Sequence, residues 1–118
     1  LGVQSATTVL LAALAKRSSG SGTLAPKFDV VARANRALPA GTVLTPRGAH
    51  HSIDGLDGRL VPAGPVRGER PVPFHMASGC TLAKALAPGE DITLAHLAVP
   101  PRSVLWAMRQ EMDARFFG

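Results

Sequence analysis

Two stretches of this chain repeat one another at a fixed spacing, and that repeat restricts the possible fold more than any other feature. Arg36-Ala37-Leu38-Pro39-Ala40-Gly41-Thr42-Val43-Leu44-Thr45 is matched 48 positions later by Lys84-Ala85-Leu86-Ala87-Pro88-Gly89-Glu90-Asp91-Ile92-Thr93. Each begins with a basic residue and Ala-Leu, passes through a proline-containing turn that ends in glycine, and closes on an aliphatic-Thr pair. The physical requirement is a strand, a tight turn and a second strand. The leucine anchors the first strand in the core and proline presets φ in the turn. The structural glycines Gly41 and Gly89 take a conformation that a Cβ would penalise. Two units built alike predict a two-fold β architecture.

The rest of the chain is read around that repeat. A length of 118 residues, 46% hydrophobic, allows one domain with one modest core. Twelve glycines and ten prolines predict short elements and many turns. Val30 to Ala32 and Thr42 to Thr45 read as short strands, and Asp54-Gly55 and Asp57-Gly58 as tight turns. Val61 to Pro73 carries four prolines, which predicts a surface loop or irregular edge rather than a central strand. Cys80 to Leu86 and Asp91 to Leu94 repeat the strand–turn–strand pattern.

The expected fold class is therefore mainly β over residues 28–99, with a helix at each end. Residues 1–17 hold the first helix, read from Ser5 to Lys16 with Ser5 or Thr7 as N-cap, and assigned to a preceding domain. Residues 18–27, opening on Ser18-Ser19-Gly20-Ser21-Gly22, form a linker. Residues 100–118 hold the second helix, which starts from Ser103 after Pro100-Pro101. Its stripe Leu105, Met108, Met112 and Phe116 is expected to face the core, leaving Trp106 off-centre to meet another chain or domain.

Several function classes are disfavoured. The net charge is +5, but the cations are scattered and lack the interleaved aromatics of a nucleic-acid surface. The apolar run Val9 to Ala15 is far short of a membrane span, and the cations Lys16 and Arg17 follow it rather than precede it as in a signal peptide. The single Cys80 has no disulfide or zinc partner and reads as a buried structural thiol, which fits a cytoplasmic location. His50-His51 near Asp54 and Asp57 is the most suggestive cluster, yet adjacent histidines on a strand point to opposite faces, so no metal site is expected. His75 and His96 have no partners at ligand spacing, and Glu90 and Asp91 read as solvated turn carboxylates. No residue is assigned as catalytic. Arg36 and Lys84, at equivalent positions of the repeat, are candidate contacts for an anion or substrate, as are His50 and His51.

The doubled pattern of a basic residue, Leu, a turn ending in Gly and an aliphatic re-entry resembles the SAF domain, a β-clip fold. That domain occurs in sialic acid synthases, type III antifreeze proteins, altronate dehydratases and flagellar P-ring chaperones. Asp29-Val30-Val31-Ala32, Pro73 to Leu82, Pro88 to Thr93 and Arg109 to Phe116 together resemble the C-terminal region of homoserine-dehydrogenase-like NAD(P)-dependent oxidoreductases, and Thr8 to Ala15 the helix before it. The resemblance implies an accessory domain, not catalytic alone, that assists closure of a substrate site or oligomerisation. Its partners would be the rest of the parent enzyme or a dehydrogenase subunit, or a second copy. NAD(P) is implied for the parent only. Gly20-Ser21-Gly22 follows a helix rather than a strand and is no dinucleotide loop. The first residue, Leu1, points to a processed or excised chain. A stand-alone SAF module for a sugar acid or other anion, and a periplasmic chaperone of the flagellar kind, are the alternatives.

Overall fold

The structure is a computed structural model that describes residues 2–20, 22, 24–48, 52–98 and 103–118. Within it lie two helices and two small antiparallel sheets. Helix α1 spans Val3–Leu14. Strands β1 (Phe28–Ala34) and β4 (Leu56–Pro62) form one sheet, while β2 (Pro46–Arg47) and β3 (Ser52–Ile53) form the other. Helix α2 spans Val104–Phe117, and single 3-10 turns occupy Phe74–Ala77 and Leu94–His96. Among the described residues regular helix and regular strand are both present, so the architecture is roughly mixed α/β. The reason lies in the prolines and glycines. They break most extended segments into isolated bridges such as Leu38↔Leu86, Val43↔Thr81 and Arg33↔Asp91.

Those bridges realise the sequence repeat as a local two-fold relation. Leu38 and Leu86 donate to each other's carbonyls at 3.0 and 2.8 Å. Three pairs of neighbouring bonds are counterparts shifted by the repeat spacing. The Ala34 amide donates to Glu90 O (2.8 Å) as Leu82 does to Thr42 O (2.9 Å). Ile92 donates to Ala32 O, and Leu44 to Cys80 O, both at 2.9 Å. Gly41 and Gly89 donate to Leu82 O and Ala34 O at the same 2.7 Å, with φ of +85° and +83°. The paired positions Leu44 and Ile92, and Leu38 and Leu86, are all buried in the one core.

The proline-rich stretch Val61 to Pro73 is irregular beyond the end of β4, as expected, but Val72 within it does not lie at the surface. It is fully buried and sits between β1 and the second copy of the repeat. Ala32 N–H donates to Val72 O (3.0 Å), Val72 N–H to Ile92 O (2.7 Å), and Ile92 N–H to Ala32 O (2.9 Å), a closed ring of three main-chain hydrogen bonds. The prolines are tolerated because Pro71 and Pro73 flank Val72, whose own N–H is the one the ring requires. Asp57-Gly58 is likewise no turn: it lies inside β4, where Gly58 faces Ala32 across the sheet. A Cβ there would come within 3.0 Å of the Val30 side chain, which explains the glycine by close approach.

The helices also differ from expectation. Helix α1 starts at Val3, with Ser5 and Thr7 inside it; Thr7 Oγ1 donates back to Val3 O at 3.1 Å instead of capping. Lys16 lies beyond the helix, in the left-handed conformation at φ +52°. None of the residues of α1 is buried. Helix α2 is capped as expected, Ser103 Oγ accepting from Trp106 N–H. Its docking face is not the apolar stripe, however. Trp106 belongs to the core, whereas Leu105, Met108 and Phe116 are exposed.

Candidate functional site

An ion-paired clamp explains why α2 docks on the face carrying Trp106. Arg109 and Asp113 are one turn apart on that face, and Asp29 lies near the start of β1. Arg109 Nη1 and Nη2 donate to the two oxygens of Asp29 at 2.8 and 2.9 Å, a bidentate fork. Its Nε donates to Asp113 Oδ1 at 2.7 Å, and Nη2 also reaches Gly64 O at 2.7 Å. Asp113 Oδ2 accepts from Val66 N–H at 2.8 Å, tying the 64–66 loop into the same set. The side chains of Arg109, Asp29 and Asp113 are 9%, 11% and 13% exposed. Burial alone would raise the Asp29 carboxyl; the hydrogen bonds and charge of Arg109 outweigh it and hold the group below its ordinary value. Burial pulls the Arg109 guanidinium down in turn, and its bonds to Asp29 and Asp113 carry it above its usual value. With four of its five N–H groups engaged, Arg109 positions a helix rather than a substrate.

Docking by this polar face leaves the apolar stripe of α2 overhanging the sheet. Leu105, Met108 and Met112 face Val30, Phe74 and Met76 across an open cleft of about 420 Å³. The chain has three methionines, and all three line this cleft. His75 stands at its edge with its ring perpendicular to that of Phe74, centroids 5.3 Å apart. Phe28 and Val30 of β1, with Leu60 opposite Val30 on β4, continue the exposed apolar face beyond it. The methionine and leucine positions were legible as a stripe. What the sequence concealed was that a charged side chain would claim the core-facing side of the helix.

Of the residues singled out from sequence, Arg36 and Lys84 are not brought together. Arg36 is exposed and paired with Asp54 at 2.7 Å. Lys84 is exposed, and the antiparallel Leu38↔Leu86 bridge carries Arg36 and Lys84 away from the pair in opposite directions. His50 and His51 lie outside the described residues. Gly41 and Gly89 occupy the left-handed turn positions expected of them. The turn carboxylates are more than solvated. Asp91 is bridged by Arg33 at 2.8 Å and by Arg59, with its side chain 18% exposed. Its burial would raise the carboxyl, but the bonds from Arg33 and Arg59 hold it low. Glu90 accepts from Ala87 N–H at 2.8 Å and contacts His96 Nε2 at 3.4 Å, while His96 Nδ1 accepts from Thr93 N–H. Cys80 is buried, and burial pushes its thiol up.

Among the described residues no group of three or more His, Cys, Asp or Glu side chains could hold a metal ion, and no helix is long and apolar enough to cross a membrane. The described glycines do not form a dinucleotide cradle: Gly20 and Gly22 follow α1, not a strand that feeds a helix. The chain matches no known family model and no curated protein.

Proposed function

We propose that this chain is a non-catalytic assembly domain that presents the methionine-lined cleft to another protein surface. In that reading it is a SAF β-clip domain, residues 28–99, carried with its flanking helices at the C-terminal end of a cytoplasmic, NAD(P)-dependent oxidoreductase of the homoserine-dehydrogenase-like kind. The cofactor would be held by the rest of that enzyme, and this domain would help close its substrate site or hold its subunits together. The observation that carries the reading is the cleft itself. A face that combines Leu105, Met108 and Met112 with Val30 and Phe74 is suited to another apolar surface, because unbranched methionines adapt to irregular partners. The duplicated turn and its residue-level resemblance supply the parent. The anion-binding alternative has weaker support, since Arg36 is already neutralised by Asp54.

The test reads the coding sequence upstream of Leu1 and measures thermal shifts of the isolated chain with NAD(P)H and with sugar acids. A strand–Gly-rich loop–helix unit upstream, with no stabilisation by either ligand class, is the expected result. A start codon directly before Leu1, or marked stabilisation by a sugar acid, overturns it.

A further inference from the structure

One edge of strand β4 is bonded to β1, and the bonds at its two ends fix which residues face the other way. Ala63 N–H donates to Lys27 O and Asn35 N–H to Gly55 O, both at 3.0 Å, in the register that pairs Arg59 with Val31. Bonded positions of an antiparallel ladder recur at every second residue, so Asp57, Arg59 and Val61 bond to β1. Leu56, Gly58 and Leu60 therefore turn their N–H and C=O groups outward, where these groups have no partner among the described residues. Pro62 O, next in that row, is taken by the Arg70 side chain. Gly58 and Leu60 are exposed, Leu60 at 64%. Before Pro62 the strand has no lysine, no proline and no bulge in its register, the usual devices that protect an edge. A free row of alternating donors and acceptors is matched by the edge of another extended strand.

The side chains select that strand. A second copy of β4, antiparallel and centred on Gly58, exchanges main-chain bonds at Gly58 with Gly58 and at Leu56 with Leu60. It asks nothing of Pro62, which has no N–H. On one face Asp57 of each copy stands opposite Arg59 of the other, and on the other face the exposed Leu60 stands opposite Leu56. Asp57 makes no ion pair among the described residues; its carboxylate accepts from Asn35 Nδ2 at 2.9 Å. Arg59 shares the one carboxylate of Asp91 with Arg33. Arg33 and Asp91, which flank the pair from β1 and from the second turn of the repeat, are bonded to each other and cancel. A shift of two residues in either direction sets Arg59 against Arg59 or Asp57 against Asp57, so charge favours the register centred on Gly58.

We propose that β4 pairs with β4 of a second copy about a two-fold axis at Gly58, joining the β1–β4 sheets of both copies into one. This edge is separate from the methionine-lined cleft, so failure of the pairing leaves the proposed function standing. The contact is short, which makes the dimer transient rather than obligate.

Hydrogen exchange of the full chain, read amide by amide by NMR over a concentration series, tests the pairing. The Gly58 and Leu60 amides are expected to exchange fast in dilute solution and to gain about tenfold or more protection as the chain associates. Those of Arg59 and Val61, bonded to β1, are protected throughout. Leu60→Pro removes an N–H that β1 does not use, so it abolishes association while Arg59 and Val61 stay protected. In sedimentation equilibrium Asp57→Lys and Arg59→Glu each weaken the dimer about tenfold, because the two-fold doubles the loss, and an equimolar mixture of the two restores it. Circular dichroism confirms that each variant folds. Association that survives in a folded Leu60→Pro chain, or no restoration in the mixture, overturns the inference. Gly58 and Leu60 exchanging at one rate at every concentration overturns it too, and leaves the edge to a strand of another protein.

Discussion

The main chains of Leu38 and Leu86 bond to each other in both directions, and the two residues hold the same position in the two copies of the repeat. The pair therefore lies on the local two-fold relation, and each side chain is buried, 3% and 2% exposed. The repeat has become a contact between its own halves, which is why the same residue type is needed twice.

Leu38→Ala and Leu86→Ala should each cost about 2–4 kcal/mol through lost burial and the cavity left behind. Because the two backbones are hydrogen-bonded, the double variant should depart from additivity by more than about 0.5 kcal/mol. Urea denaturation of the four proteins of the cycle measures both quantities. Additive losses would mean that the two halves are energetically independent.

Gly41 and Gly89 offer a cleaner comparison. No atom lies within 4 Å of a Cβ built on either, so alanine adds no clash and only the left-handed backbone is penalised. Each substitution should cost about 1–2 kcal/mol, and the two costs should agree. A markedly larger loss at one of them would show that its turn carries a further constraint.

The clamp that docks α2 should be acid-sensitive. The Asp29 carboxyl is held below its ordinary value of 3.8 in the folded chain. Its contribution is thus complete above that value and is lost as pH falls through the lower, folded one. Asp91 has the same sign, which places the loss of stability on the acid side of pH 4 or so. Asp29→Asn should flatten this dependence, and Asp29→Ala should cost about 3 kcal/mol by leaving the Arg109 charge without its main partner. The single tryptophan, Trp106, is seated in the core by the same helix, so its emission should shift to the red when the clamp fails. Unchanged emission on Asp29→Ala would show that Trp106 holds α2 without the ion pairs.

The Cys80 thiol should be inert in the folded chain. It is buried, its Sγ faces Met76 O at 3.4 Å, and burial disfavours the thiolate that would react. Labelling by a disulfide reagent at neutral pH should follow global unfolding, and accelerate in the Leu38→Ala variant. Rapid labelling of the native chain would place the thiol at an accessible surface.

Much of this was written in local chemistry. The duplicated Leu–turn–Gly motif specified the paired turns because a positive φ and a buried leucine are requirements of the residue itself. Ser103 likewise marked the start of α2 because a hydroxyl placed there can accept from the free amides of the first turn. Three things waited on tertiary structure. Val72, flanked by prolines, became the hub of a main-chain ring, because only the meeting of Ala32 and Ile92 creates the donor and acceptor it satisfies. Asp91, a turn carboxylate by sequence, became the partner of Arg33 and Arg59 once β1 and β4 were paired. The face of α2 that docks was decided by Asp29, eighty positions away from Arg109. A buried charge must be matched, whereas an apolar stripe at a surface can wait for a partner. Periodicity found the stripe; the ion pair, invisible to any local pattern, turned it outward and opened the cleft.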